Sequence, residues 1–104
     1  ENEPGTNPEE LIAAAHAACY NMAFANVLAK KGHPPQRLET EAACTLTVGE
    51  QGPRITAMKL TVRGQVPGMD QETFRQMARE GDRNCPVSNL LRSGLEISIE
   101  AELI

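Results

Sequence analysis

Apolar residues dominate the early part of the chain without settling into one stripe. From Leu11 to Leu28 the strongly polar side chains are His16, Asn21 and Asn26. The span from Leu11 to Lys31 holds neither Pro nor Gly and carries five alanines between Ala13 and Ala18, which predicts one long helix. Asn7 is suited to its N-cap, Pro8 to its first position, and Glu9 and Glu10 to its positive end. Glu10 stands three residues after Asn7, as in a capping box. Lys30, Lys31, Gly32 and then Pro34-Pro35 mark the stop. A helix that is apolar nearly all round is expected to be buried on nearly all sides. The elements that follow cannot wrap it completely, so a partner subunit or further strands upstream are expected to cover it.

The pattern then changes to period two. Leu38, Thr40, Ala42, Cys44, Leu46 and Val48 share one face of a strand, with Arg37, Glu39, Glu41, Thr45 and Thr47 mainly on the other. A turn over Gly49 to Pro53 leads into a second strand from Ile55 to Val66. Met58, Leu60, Val62 and Val66 point inward there, and the two strands are expected to form an antiparallel hairpin. Asp70 caps a second helix from Gln71 to about Arg79, with Phe74, Met77 and Ala78 as its apolar stripe and Gly81 as its breaker. Pro86 opens a short third helix to Leu91, ended by Gly94. Leu95, Ile97, Ile99, Ala101 and Leu103 alternate with Glu96, Ser98, Glu100 and Glu102 in a last half-exposed strand. The order implies an α+β fold with a meander-like sheet.

Composition narrows the functional classes. The 104 residues are read as one domain, 1–104, with 10 Lys and Arg against 14 Asp and Glu and a net charge of -4. That excludes a basic nucleic-acid surface and argues against binding an anionic membrane. Tyr20, Phe24 and Phe74 are the aromatic residues, so Ala, Leu, Ile, Val and Met must build the core. No signal peptide is read, and no apolar run is judged to approach the ~18 residues of a membrane helix, so a reducing, cytoplasmic compartment is expected. The opening Glu1-Asn2-Glu3-Pro4-Gly5-Thr6 is loop-like and has no starting Met, which implies further sequence upstream.

Three cysteines, with no CxxC pair, give neither a disulfide framework nor a structural zinc site. Cys85, in Asn84-Cys85-Pro86-Val87-Ser88, sits where a helix N-terminus would stabilise a thiolate, with Arg83 close in sequence. Simple capping is the other reading of it. Cys19 lies in mid-helix among small residues, where a cysteine packs as a small hydrophobe. Two features favour chemistry there instead: His16 is on the same face, and the alanines leave room for an approach to sulfur. Cys44 is assigned to the core. His16 and Pro86 are assigned structural roles, and no metal or cofactor is expected.

Thr6-Asn7-Pro8-Glu9-Glu10-Leu11-Ile12-Ala13-Ala14-Ala15-His16-Ala17-Ala18-Cys19 resembles the signature of the OsmC/Ohr family, the osmotically inducible and organic-hydroperoxide-resistance proteins of bacteria. Asn84-Cys85-Pro86-Val87-Ser88 resembles the family's second cysteine motif, and Val66-Pro67-Gly68-Met69-Asp70 fits the stretch before its second long helix. The His16-Ala17-Ala18-Cys19 form is more similar to the OsmC branch. The resemblance runs from about Gly5 to the C-terminus and implies an OsmC-like fold: a long buried helix on a mainly antiparallel sheet, in an intertwined homodimer. It implies reduction of organic hydroperoxides without metal or flavin. Cys19 matches the peroxidatic cysteine that becomes a sulfenic acid, and Cys85 the resolving cysteine that closes a disulfide, which a dithiol reductant reopens. Glu9 matches the family's acidic active-site residue, whose partner is an Arg upstream of Thr6. None of the arginines in this chain occupies the matching position, so the chain is expected to be the larger C-terminal part of the fold, lacking its N-terminal strands. Capping physics favours Cys85 as the reactive thiol, whereas the family assigns first attack to Cys19. Ten residues of straight helix, about 15 Å, separate Glu9 from Cys19, so Glu9 is expected to act through an Arg bridge or at the partner's site. The alternative function is a non-catalytic dimerisation or apolar-ligand-binding module.

Overall fold

In a computed structural model residues 8–104 are described, and the Asn7 cap lies outside them. Helix α1 (Pro8–Lys30) is followed by strands β1 (Arg37–Gly49) and β2 (Gly52–Gln65), helices α2 (Gln71–Arg83) and α3 (Pro86–Leu91), and strand β3 (Glu96–Leu103). The element order is the α+β one that the periodicity predicts. The caps fall where the sequence puts them. The Asp70 carboxylate accepts from the Thr73 N–H at 2.8 Å at the start of α2, and Cys85 is the N-cap of α3 with Pro86 just inside.

The sheet has the order β1-β2-β3. Strands β1 and β2 form the expected antiparallel hairpin, from Arg37 opposite Gln65 to Gly49 opposite Gly52, and close on Glu50-Gln51. Gly52 takes φ 99°, a conformation that suits glycine at so tight a turn. The sheet is not a meander, because β3 runs parallel to β2, from Ala57 beside Glu96 to Gly64 beside Leu103. A parallel neighbour needs a crossover, and α2 and α3 supply it. That crossover brings the second cysteine motif back over α1.

The core lies between α1, α2 and the inner face of the sheet. Met58, Leu60 and Val62 of β2 and Val66 just after it are buried as predicted, and all but Met58 cluster with Tyr20, Phe24 and Leu28 of α1 and Phe74 of α2. The three aromatic rings form one ladder, Tyr20 to Phe24 at 5.7 Å and Phe24 to Phe74 at 5.1 Å between centroids.

Within the described residues helix α1 is covered along one stripe, as expected of a chain whose other elements cannot wrap it completely. Its buried stripe is Ala13, His16, Tyr20, Phe24, Val27 and Leu28, while Leu11 and Met22 stand 60% and 74% exposed. Alanines raise the mean hydropathy of the helix, although each has little area to hide. For the same reason α1 does reach membrane-spanning length and hydropathy, with an 18-residue window at mean hydropathy 1.4, contrary to expectation. Its stripe is packed on the sheet and on α2, as in a core helix. The inward face of β1 also runs out of cover, since Leu46 and Val48 are exposed where the hairpin outruns the helices.

Gly81 does not break α2. It is buried inside the helix, and a Cβ there would lie 3.0 Å from Phe24 Cβ and 3.1 Å from Phe24 Cα. Glycine is needed at that point to let two helix backbones approach. Gly81→Val should therefore lower stability by about 1–3 kcal/mol, the range for an overpacked core. The measurement is the urea midpoint, and an unchanged midpoint would show that the helices separate without cost.

Candidate active site

The two motif cysteines meet where the first turn of α3 crosses α1. Cys85 is fully buried, and its thiol donates to the Cys19 sulfur across 3.5 Å, between residues 66 apart in sequence. Both are free thiols. A disulfide needs about 2.05 Å, so a small shift of the α3 start would suffice to close one. Pro86, at the first helical position, has no N–H to offer. The next two amides both serve sulfur: the Val87 N–H bonds Cys19, and the Ser88 N–H bonds Cys85 at 3.4 Å. One short helix start thus contacts both thiols, which sequence reasoning had allotted to Cys85 alone.

Burial pushes the Cys19 thiol up, and the donated Cys85 hydrogen bond adds to that rise. The Val87 amide pulls the other way without cancelling it. The thiol is therefore the resting form at neutral pH, and Cys19 needs a cation beside it to become a good nucleophile.

Glu9 is on the same helix but does not join the sulfur pair. It lies in the first turn of α1, within electrostatic reach of Cys44, whose thiol is raised by burial first and by the Glu9 carboxylate second. Cys44 is half-buried on β1 and does not belong to the core assigned to it, because the residues packed under the helices lie further along the hairpin. An open groove of about 660 Å³ runs between α1 and β1, past Ala13, Ala14, Ala17 and Ala18 and toward Thr40 and Ala42. Cys19 does not line it, so the alanine face leads beside the sulfur rather than to it.

His16 has a partner that sequence reasoning missed. Its Nε2 is 2.7 Å from Ser88 Oγ, and both residues are fully buried. The signal was present as matched spacing: His16 stands three before Cys19, and Ser88 three after Cys85. His16 Nδ1 and Asp82 Oδ1 have no hydrogen-bond partner among the described residues. Asp82 is held through its other oxygen by Arg92 at 2.9 Å. Desolvation lowers the His16 pKa; the Asp82 carboxylate opposes this and Arg92 reinforces it. No cluster of three or more metal-ligating side chains occurs among the described residues.

Comparisons with known proteins agree on one relationship. A family model described as OsmC-like protein matches residues 1–100. The chain is 41% identical over 103 residues to peroxiredoxin OsmC of Escherichia coli K12, covering 99% of this chain and 71% of that protein. It is 32% identical over 96 residues to the organic hydroperoxide resistance protein of Xanthomonas axonopodis pv. citri, covering 66% of that protein. The crystal structure of the organic hydroperoxide resistance protein OhrB of Bacillus subtilis has a TM-score of 0.82 at 28% identity, and 95% of this chain matches 72% of that one.

The lowered His16 pKa sets a pH dependence of stability. The unfolded chain takes up the proton near the ordinary value of 6.5, before the folded one does. The contribution is therefore complete above that value and is lost as pH falls through it toward the folded pKa. The urea midpoint should drop between about pH 7.5 and pH 5.5, and His16→Gln should flatten that slope. Equal slopes in both proteins would remove His16 as the cause.

Proposed function

Because the chain belongs to the OsmC-like protein family, we propose that it is a thiol-dependent peroxidase that reduces organic hydroperoxides to alcohols. The observation that carries this reading is the 3.5 Å contact between the sulfurs of Cys19 and Cys85. The relatives named peroxiredoxin and organic hydroperoxide resistance protein support it.

In this reading the Cys19 thiolate attacks the terminal oxygen of the hydroperoxide. The O–O bond breaks, the alcohol leaves with a proton, and Cys19 holds a sulfenic acid. Cys85 then attacks that sulfur: the S–O bond breaks, an S–S bond forms, and the Cys85 proton leaves with the hydroxyl as water. A dithiol reductant exchanges with the disulfide and restores both thiols. No cofactor takes part. The raised Cys19 thiol requires a cation, which the reading assigns to an Arg upstream of this sequence, with Glu9 holding that Arg or serving the partner's site. A homodimer in a reducing cytoplasm completes the proposal. The exposed Leu11 and Met22 of α1 favour a second copy as cover.

The raised Cys19 thiol also favours a second reading, a non-catalytic module in which both cysteines merely pack. One equivalent of cumene hydroperoxide separates the two. The peroxidase should give a Cys19–Cys85 disulfide by peptide mass mapping, Cys85→Ser should stop at Cys19 sulfenic or sulfinic acid, and Cys19→Ser should leave Cys85 reduced. Protein recovered with all its thiols intact would establish the module instead.

A further inference from the structure

Two pairs of residues face each other across the α1–α3 contact with the same spacing. His16 and Cys19 are three apart on α1, and Cys85 and Ser88 are three apart at the start of α3. They form two rungs: His16 Nε2 to Ser88 Oγ at 2.7 Å, and Cys85 Sγ to Cys19 Sγ at 3.5 Å. The Ser88 N–H also holds the Cys85 sulfur at 3.4 Å, so one serine joins the two rungs. Ser88, His16 and Cys85 are each fully shielded from solvent. A buried hydrogen bond of this kind has no water to replace it, so releasing either partner leaves the other unsatisfied.

We infer that His16 is a positioning residue for the resolving thiol, acting through Ser88 to fix the sulfur-to-sulfur spacing from which the disulfide closes. The inference rests on the peroxidase reading and deepens it. In the closing step the Cys19 S–O bond breaks, the Cys19–Cys85 S–S bond forms and water leaves. That step competes with a second hydroperoxide, which carries the sulfenic acid on to a sulfinic acid. A resolving sulfur held on the approach line wins this competition. A displacement of about 1 Å can cost 10²-fold in such a step.

The neighbouring charges fit a positioning role better than a proton-transfer one. Asp82 and Arg92 are the charged groups within electrostatic reach of His16, and their effects on the imidazole oppose each other. Arg92 also donates to the Asp82 carbonyl and to Asn89 Oδ1, which ties the end of α2 to α3. His16–Ser88 joins that assembly to α1 beside the Cys85–Cys19 and Val87–Cys19 contacts.

The test uses the full chain and four variants: His16→Leu, His16→Gln, Ser88→Ala and the double change His16→Leu with Ser88→Ala. Each is treated with excess cumene hydroperoxide, and the ratio of Cys19–Cys85 disulfide to Cys19 sulfinic acid is read by mass spectrometry. His16→Leu and Ser88→Ala should each lower that ratio on the order of tenfold, and the double change should lower it no further. His16→Gln should restore it, because its terminal amide reaches the place of Nε2. A role in folding alone would shift the melting temperature without this partition and without rescue by Gln. Ratios equal to wild type in His16→Leu and Ser88→Ala overturn the inference. A parallel series with diamide, an oxidant that takes two electrons and two protons from a dithiol, reads closure without any peroxide. Wild-type protein that closes with diamide but ignores hydroperoxide would end the peroxidase reading and leave the positioning role to be decided by the same variants. Equal diamide rates across the series would end the positioning role itself.

Discussion

Everything at the sulfur pair depends on how near α2 can come to α1. Gly81 lies against the backbone of Phe24, and the Tyr20 hydroxyl donates to the Ala78 carbonyl at 2.7 Å. These contacts, one steric and one polar, fix the last turns of α2 on the buried stripe of α1. The chain has one residue, Asn84, in which to end that helix before Cys85 begins the next. Placement of the second cysteine is therefore inherited from helix packing and owes nothing to a long loop. Phe24, which shares the core with Cys85 and has Cys19 packed against that same core, thus bears on their separation.

Much of this was legible in the sequence, for local reasons. Pro8, Asp70 and Pro86 stand at helix starts because their constraints act over a few residues, and the strand faces of β2 and β3 follow from alternation alone. The cysteine pairing was legible through two motifs rather than through any period. Gly81 was misread because a glycine needed for close approach and one that breaks a helix look alike until the neighbouring helix is placed. The direction of β3 was misread because period two says which way a side chain faces and nothing about which way a strand runs. Ser88 was passed over because its partner is 72 residues away, and a hydroxyl in a short helix carries no signal of its own.

Cys85 belongs to the apolar core and Cys19 packs against it, and the polar groups beside them are held one by one. Amides of Val87 and Ser88 hold sulfur, the Ser88 hydroxyl holds His16, and Arg92 holds Asp82. Burial disfavours charge on Cys19 and on His16 alike. Such a site keeps a thiol quiet until something supplies positive potential, and it then has a second thiol already within reach. Restraint and readiness come from the same packing.

The crossover that unites Cys19 with Cys85 also fixes when they can meet. On the ribosome Cys19 leaves first, Cys44 next and Cys85 last. Until residue 85 has emerged, Cys19 and Cys44 are the two of these three thiols outside the ribosome, and in the finished fold both are free. The 3.5 Å approach of Cys85 to Cys19 therefore cannot exist before the crossover helices have been made, which sets an order of assembly as well as a geometry.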